Sequence, residues 1–280
     1  KDDRAFTRIQ TLFGGAFDPG YFCPGMPTVE IAPGTVISAS DRCHQEVSYS
    51  KTTPRVILSY DLNDSTLLYG SYSVGYSSGG FNQDVRMRPF LPEVSDNIEL
   101  GMKSDLFGNR MRLNATVFYN DYENQQVTVG RIVNGQPTAD LINAKEAAIA
   151  GVEVDVLAQL TDSLSLSMSA GYLAGDYKQF TIDDNVTDPI TLEESIVVRD
   201  LSGVEFGSDG SEKSFDISLL HTYSMGNRGD LTSSLGYSFQ DDQYYTLMNT
   251  PSSFEPSYWL LDGRITWNLA NGETRVSLWG

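Results

Sequence analysis

Apolar and polar residues alternate along much of the chain with a period of two. In Leu164–Tyr172 an apolar side chain stands at every second position, with serine or glycine between. The same alternation runs through Ile98–Met102, Met111–Tyr119, Val152–Val156 and Leu231–Phe239. A helix would spread these apolar residues around all its sides, whereas a strand places them on one face. The pattern therefore predicts β-strands, and we count about ten of them after residue 45.

The predicted strands are joined by connections that alternate between short and long. Short polar turns fall at 61–64, 107–110, 161–163, 226–230 and 270–273, where Asn, Asp, Ser and Gly suit tight hairpins. Longer irregular stretches lie at about 6–45, 78–95, 129–144, 178–212 and 246–256. An outer-membrane β-barrel requires this alternation, because its short turns face the periplasm and its long loops face outside. A soluble sandwich requires no such rule.

Strand length and aromatic placement agree with a membrane sheet. Met111–Val129, Ala144–Leu160 and Leu164–Phe180 are longer than the roughly 9 to 11 residues that cross a bilayer as a tilted strand. We therefore expect their hairpins to rise above the membrane surface. Aromatic residues gather toward strand ends, where a girdle at the membrane interface would lie, as at Tyr72, Tyr119, Tyr172, Tyr244 and Trp259.

Composition removes several other classes of protein. The 19 Lys and Arg residues against 37 Asp and Glu give a net charge of -18, which excludes a nucleic-acid partner. With 40% apolar residues, 15 Tyr and 13 Phe, the chain is too hydrophobic to be disordered. No apolar run approaches the roughly 18 to 20 residues of a membrane-spanning helix, a result that leaves β-barrels open.

Several stretches resemble, in order along the chain, the barrel of TonB-dependent outer-membrane receptors, which are plugged transporters with about 22 strands. They are Leu67–Asn82 (LLYGSYSVGYSSGGFN), Leu91–Glu93 (LPE), Ile98–Ser104 (IELGMKS), Arg112–Tyr119 (RLNATVFY), Ala150–Glu153 (AGVE) and Leu278–Gly280 (LWG). The similarity extends from about residue 46 to the end of the sequence.

The resemblance implies an all-β fold, an antiparallel transmembrane β-barrel of which this chain is a fragment. We expect residues 1–280 to be part of a single barrel domain, with 1–45 mostly an extracellular loop, and the plug domain and terminal strand to lie outside the chain. The implied location is the bacterial outer membrane. The implied partners are outer-membrane lipid, a small-molecule ligand and, through the missing N-terminal region, the TonB complex.

The implied function is active uptake of a scarce ligand, most often a ferric siderophore, energised by TonB. Two alternatives remain. A passive porin or adhesin barrel would share the strands and loops but lack the plug. A secreted soluble β-protein with an acidic surface would fold without detergent and would have no lipid-facing band.

No enzymatic activity is predicted. The segment Gly75–Gly79 (GYSSG) fits the nucleophile-elbow pattern of hydrolases. That motif needs a turn from strand to helix, whereas a Gly-rich loop and another strand follow here.

Loop residues that combine aromatic and polar character are the candidate ligand contacts. They are Phe81, Asn82, Arg86, Arg88, Tyr244 and Tyr245. Arg86 and Arg88 would favour an anionic iron chelate. The structural alternative is that the loop aromatics pack on one another.

Two cysteines and one acidic loop are the remaining candidate sites. Cys23 and Cys43 lie in one Gly/Pro-rich segment, and we favour a surface-loop disulfide worth about 3 kcal/mol in an oxidising compartment, whereas in the cytosol both would be free thiols. Oxygen-rich side chains in the loop 178–212 make it a candidate calcium site, although it lacks EF-hand spacing and a solvated loop is the alternative. These side chains are Asp183, Asp184, Asp188, Glu193 and Glu194. No other cofactor is expected.

Overall fold

The computed structural model describes residues 2–7, 29–32, 35–37, 45–82, 89–133, 136–187, 194–204, 212–247 and 249–280. Within these ranges almost all regular structure is β-strand, with short 3-10 turns at Gly226–Arg228 and Pro251–Ser253. None of the helical turns in these ranges is long and apolar enough to cross a membrane.

The strands are numbered in chain order. They are β1 (Asp2–Thr7), β2 (Val29–Ala32), β3 (Thr35–Ile37), β4 (Gln45–Ser50), β5 (Arg55–Asn63), β6 (Thr66–Ser77), β7 (Gly80–Phe81), β8 (Pro89–Phe90), β9 (Glu93–Leu106), β10 (Met111–Val133), β11 (Gln136–Gln159), β12 (Leu164–Gln179), β13 (Thr181–Thr187), β14 (Glu194–Asp200), β15 (Lys213–Ser224), β16 (Asp230–Gln240), β17 (Gln243–Tyr244), β18 (Phe254–Glu255), β19 (Tyr258–Asn268) and β20 (Arg275–Trp279).

Ten of these strands form one antiparallel sheet in the order β5-β6-β9-β10-β11-β12-β15-β16-β19-β20. Each strand of the sheet pairs with the next one along the chain, and all ten lie after residue 45, which confirms the strand count predicted from the alternation. The other described strands pair two by two, as β1–β4, β2–β3, β7–β8, β13–β14 and β17–β18.

Every predicted short turn joins two neighbouring strands of the sheet. All five turns lie at the same end of the strands, which we call the turn end; the opposite end is the loop end. Side chains stabilise two of these turns, because Asn63 Oδ1 accepts a hydrogen bond from the Ser65 N–H at 2.9 Å and Asn271 Oδ1 accepts one from the Thr274 N–H at 3.0 Å. A third uses backbone in the left-handed region at Asn109, with φ of 67°.

The loop end is more regular than the sequence predicted. The stretch 129–144, expected to be irregular, belongs to the β10–β11 hairpin, whose pairing continues to Val133 opposite Gln136. The stretch 178–212 likewise contains the β13–β14 hairpin. Both expectations of an irregular loop were wrong, because β-branched residues are frequent in these segments and favour extended backbone.

The sheet has one apolar face, as the alternation predicted. Directly paired residues of an antiparallel sheet share a face, so the register groups the apolar side chains across the strands. Much of this apolar face is open, with Leu58 74% and Leu100 59% exposed. It includes Val56, Leu58, Tyr60, Leu68, Tyr72, Ile98, Leu100, Met102, Ala115, Val117, Tyr119, Val152, Val154, Tyr172, Phe215, Ile217, Tyr237, Phe239, Trp259 and Leu261.

The opposite, polar face carries hydroxyl, amide and charged side chains. Tyr69 donates a hydrogen bond to Glu99 Oε1 at 2.7 Å and lies 3.2 Å from Thr116 Oγ1. On the same face, the Arg112 guanidinium donates two hydrogen bonds to the Asp105 carboxylate, from Nε to Oδ1 at 2.8 Å and from Nη2 to Oδ2 at 3.1 Å. Glu99, Arg112, Glu153 and Asp155 all belong to this face.

The largest buried cluster lies at the loop end and not within the sheet. We call it the loop-end core. It joins the extensions of β10 and β11 to the end of β12, the β13–β14 hairpin and the segments after β14 and β17. Its buried members are Val127, Val129, Ala144, Ala147, Tyr177, Phe180, Ile182, Leu201 and Leu247.

Candidate ligand-binding surface at the loop end

Side-chain amides attach the connection between β6 and β9 to the β10–β11 hairpin. Asn82 donates from Nδ2 to the Leu141 carbonyl at 2.8 Å, and the Leu141 N–H donates back to Asn82 Oδ1 at 2.6 Å. The amide therefore bonds to β11 as the backbone of a neighbouring strand would. Because Asn82 is buried, losing this pair would leave both backbone groups of Leu141 without their partner.

Two further amides extend the same attachment. Asn143 accepts from the Leu91 N–H at 2.7 Å and donates to the Leu91 carbonyl at 3.0 Å. Gln126 donates to the carbonyls of Ser78 and Leu91 at 3.0 and 3.1 Å. These contacts, together with those of Asn82, hold both ends of the connection against the hairpin.

A groove of about 560 Å³ lies between β10 and the segment after β17. We call it the loop-end groove. Its size falls in the range usual for small-molecule sites. Its described lining combines amides, hydroxyls and apolar groups and contains no charged side chain: Gln125, Gln126, Val127, Thr128, Val129, Gly130, Tyr177, Tyr245, Thr246, Leu247 and Thr250.

Gln125 and Tyr245 are the most chemically distinctive residues of this lining. Gln125 Oε1 is shielded from solvent and has no hydrogen-bond partner among the described residues. The Tyr245 hydroxyl donates to the Glu255 carboxylate and accepts from Gln243 Nε2 at 2.9 Å. The hydrogen bond to Glu255 raises the pKa of Tyr245 above its ordinary value.

The predicted ligand contacts fall into two groups that the β10–β11 hairpin connects. Phe81 packs with Val47 in a small cluster of its own, beside Asn82. Asn82 bonds to Leu141, which pairs with Thr128, and Thr128 lines the groove together with Tyr245.

The remaining predicted contacts have different positions. The Tyr244 ring packs at a tilt of 52° against Phe254 in the β17–β18 pair, with ring centroids 5.1 Å apart. Arg86 and Arg88 lie outside the described residues. Their role stays a prediction, as does ligand binding by the whole set.

The sequence analysis missed Gln125 and Gln126 as site residues. The available signal was the run Glu123–Gln126 (ENQQ), which interrupts the apolar alternation of β10. Asn124 within it has a φ of 55°, in the left-handed region that Asn tolerates better than most residues.

The cysteine and calcium predictions fall largely outside the described residues. Cys23, Cys43, Asp188 and Glu193 lie there entirely. Asp184 and Glu194 belong to β13 and β14, but their side chains are not described, whereas Asp183 is exposed on β13. In the part of the chain that the structure describes, no three His, Cys, Asp or Glu side chains converge to hold a metal ion. Calcium binding and the disulfide stay predictions.

The geometry defines the class of protein before any comparison. A ten-stranded antiparallel meander with an exposed apolar face, a polar face, short turns at one end and long connections at the other has the architecture of an outer-membrane β-barrel wall.

The chain belongs to the TonB-dependent receptor family. The family model described as "TonB dependent receptor-like, beta-barrel" matches residues 36–280. The fold is accordingly that of a transmembrane β-barrel, of which the chain supplies a part.

Solved structures share this fold. The ferric yersiniabactin uptake receptor FyuA from Yersinia pestis aligns over 84% of this chain with 18% identity and a TM-score of 0.64. The ferric preacinetobactin receptor BauA from Acinetobacter baumannii aligns over 83%, with 18% identity and a TM-score of 0.56. The siderophore receptor PiuA from Acinetobacter baumannii aligns over 80%, with 18% identity and a TM-score of 0.54. The chain spans about a third of each structure, covering 32%, 31% and 30% of them respectively.

Proposed function

We propose that this chain is part of the barrel of an outer-membrane transporter that takes up a scarce small ligand of the ferric-siderophore type, with energy from the TonB complex. The observation that carries the proposal is the combination of a membrane-facing sheet with a ligand-sized groove at its loop end. The structurally similar proteins named for ferric yersiniabactin and ferric preacinetobactin support the ligand class.

In this proposal the apolar face contacts outer-membrane lipid and the loop end faces the outside of the bacterial cell. The polar face then lines the interior of the barrel, where Glu153 and Asp155 contact water or a plug domain. The TonB complex contacts a region of the receptor outside this chain. The chain catalyses no reaction in this proposal, since its part is to bind a ligand and to form the wall of the path.

A transport assay tests the proposal with the complete receptor. Iron-starved cells that lack their other receptors are given radiolabelled ferric chelates, with and without the receptor and with and without TonB. We expect accumulation only when both are present. Accumulation that needs the receptor but not TonB would instead support a passive barrel.

A fractionation experiment tests the membrane placement separately. We expect the complete receptor in the outer-membrane fraction, migrating in SDS as a compact species that unfolds only on heating. A receptor recovered in the soluble fraction would contradict the assignment of the apolar face to lipid.

A further inference from the structure

The lining of the loop-end groove offers hydrogen-bond acceptors and apolar surface but no positive charge. Its described polar side chains are the amides of Gln125 and Gln126, the hydroxyls of three threonines and the phenols of Tyr177 and Tyr245. A site built for an anion presents Lys, Arg or several converging N–H groups. The described lining has neither Lys nor Arg.

One acceptor in this lining lacks its donor. Gln125 Oε1 is shielded from solvent, and no described residue donates to it. Asn249 Oδ1, in the residue before the lining residue Thr250, is also shielded from solvent and has no hydrogen-bond partner among the described residues. Buried polar atoms of folded proteins are nearly always paired, so an acceptor of this kind marks a position where a bound molecule can place an O–H or N–H group.

Among the side chains that the structure describes, the charged groups that hydrogen-bond to the lining are carboxylates. Glu255 accepts the hydrogen bond of the Tyr245 hydroxyl, and Glu93 Oε2 accepts from the Gln126 N–H at 2.7 Å. Lys178, which follows the lining residue Tyr177, is bound to Asp176 at 2.6 Å. The two carboxylates bonded to the described lining oppose an anionic ligand.

The Tyr245 side chain supplies an apolar surface at the mouth of the groove. It is 60% exposed, and its hydroxyl is held by Glu255 and Gln243. The ring is thus fixed in orientation while one part of it stays open. A flat group of a ligand can stack on such a ring at little cost in conformational entropy.

We propose that the loop-end groove binds an electrically neutral ligand, which donates a hydrogen bond to Gln125 Oε1 and packs a flat apolar group on Tyr245. This inference rests on the proposed uptake function and specifies its ligand class as a neutral ferric chelate in place of an anionic one. It differs from the expectation based on Arg86 and Arg88, which favours an anion.

The test uses the complete receptor in detergent and two ferric chelates of similar size. One is a neutral ferric tris-hydroxamate and the other a trianionic ferric tris-catecholate, each titrated by quenching of tryptophan fluorescence. We expect the neutral chelate to bind at least tenfold more tightly.

Three substitutions assign the preference to the groove. Gln125→Leu removes the acceptor and Tyr245→Ala removes the ring, and each is expected to raise the Kd of the neutral chelate about tenfold, the equivalent of one good contact. Gln125→Glu keeps an acceptor and adds negative charge, so it should widen the preference for the neutral chelate. The matched control is Gln159→Leu at the turn end, where the Gln159 side chain contacts only Thr161, Leu164 and Ser165 among the contacts described.

The outcomes separate this inference from the function on which it rests. Tighter binding of the trianionic chelate, or an unchanged Kd for the neutral chelate in folded Gln125→Leu and Tyr245→Ala receptors, would overturn the inference and leave iron uptake standing. Failure of both chelates to bind or to enter iron-starved cells would overturn both. If Gln125→Leu does not give a heat-modifiable barrel, the Gln125→Glu receptor provides the test. A smaller ratio between the Kd of the trianionic chelate and the Kd of the neutral chelate in this variant would contradict the inference.

Discussion

The ten-stranded sheet and the loop-end core place their apolar side chains in opposite positions, on the surface in the sheet and in the interior in the core. In the sheet, apolar side chains such as Leu100 and Leu261 point outward and are each 59% exposed. In the loop-end core, apolar side chains such as Tyr177 and Phe180 are 2% and 1% exposed. The two regions meet along the same strands, since β10, β11 and β12 contribute to both.

The difference shows which solvent each region is built for. An apolar side chain is stable wherever it avoids water, and lipid serves that purpose as well as a protein interior does. The sheet keeps its apolar residues on the surface because lipid covers that face in the proposed setting. The loop end projects into water, so its apolar residues must pack on one another.

The largest effect is expected from truncating a buried side chain of the loop-end core, because it should destabilise that core and leave the sheet intact. Phe180→Ala removes a nearly fully buried ring that packs 4.9 Å from Tyr177, between ring centroids. We expect a local loss of about 3–5 kcal/mol, seen as faster proteolysis of the loop end while the barrel still resists heat in SDS. The control is Phe107→Ala, because Phe107 is 77% exposed at a turn. Equal proteolysis of the two variants would mean that the core does not stabilise the loop end.

A charge placed on the apolar face tests the lipid side of the comparison. Val117→Arg puts a cation on the apolar face at the centre of the part of β10 that pairs with β9, Met111–Glu123, and should destabilise the complete receptor in lipid by about 2–4 kcal/mol. Thr116→Arg, one position away on the polar face opposite Glu153, should cost far less. Denaturant unfolding in liposomes measures both. A similar loss for the two variants would contradict the assignment of the faces.

The amide attachment at Asn82 should have a smaller effect, confined to the loop end. Asn82→Leu removes both hydrogen bonds to Leu141 and should cost about 1–3 kcal/mol. Faster hydrogen exchange at the Leu141 amide reports the loss. Asn82→Asp keeps the acceptor but replaces the donor, so the exchange rate of the Leu141 amide should be intermediate. If the Leu141 amide of Asn82→Leu exchanges as slowly as in the unchanged protein, Asn82 does not attach the connection to β11.

The smallest effect is a pH dependence at Asp200, where β14 leaves the loop-end core. Hydrogen bonds from Ser202 lower the pKa of Asp200, and the Ser202 N–H lies 2.9 Å from its Oδ1. A lowered pKa contributes stability that is complete above the ordinary value of about 3.9 and is lost as the pH falls through the lower folded value. The protection of the amides of residues 201–204 should therefore fall below about pH 4, which is measured as a rise of their exchange relative to the intrinsic rate at each pH. In Asp200→Asn this acid-dependent rise should disappear; its persistence would assign it to another group.

The strands and their faces were predictable because their signal is local. In Ile98–Met102 and Met111–Tyr119 the alternation of neighbouring residues already determines which side chains share a face, and the register confirms it. The five short turns were predictable for the same reason, since Asn63 and Asn271 form hydrogen bonds within their own turns.

The loop end was predicted less well because its contacts join segments that are distant in the chain. Nothing near Phe180 in the sequence indicates that it packs with Val127 and Leu247. The regular pairing within 129–144 was missed because polar residues and a Gly-Gln-Pro sequence there are typical of loops, whereas the β10–β11 pairing continues up to Val133 opposite Gln136. Asn82 was chosen as a ligand contact for its polarity, and the structure places its amide against β11.

The sequence by itself determined the ten strands of the sheet with their short turns, the two faces of the sheet and the family, because each depends on residues that are close together in the chain. Only the tertiary structure decided where the loop-end groove lies and what lines it. Gln125 belongs to β10 and Tyr245 follows β17, so the two meet through the path of the long connections. Which distant residues meet depends on strand pairing and packing, and no local pattern records it.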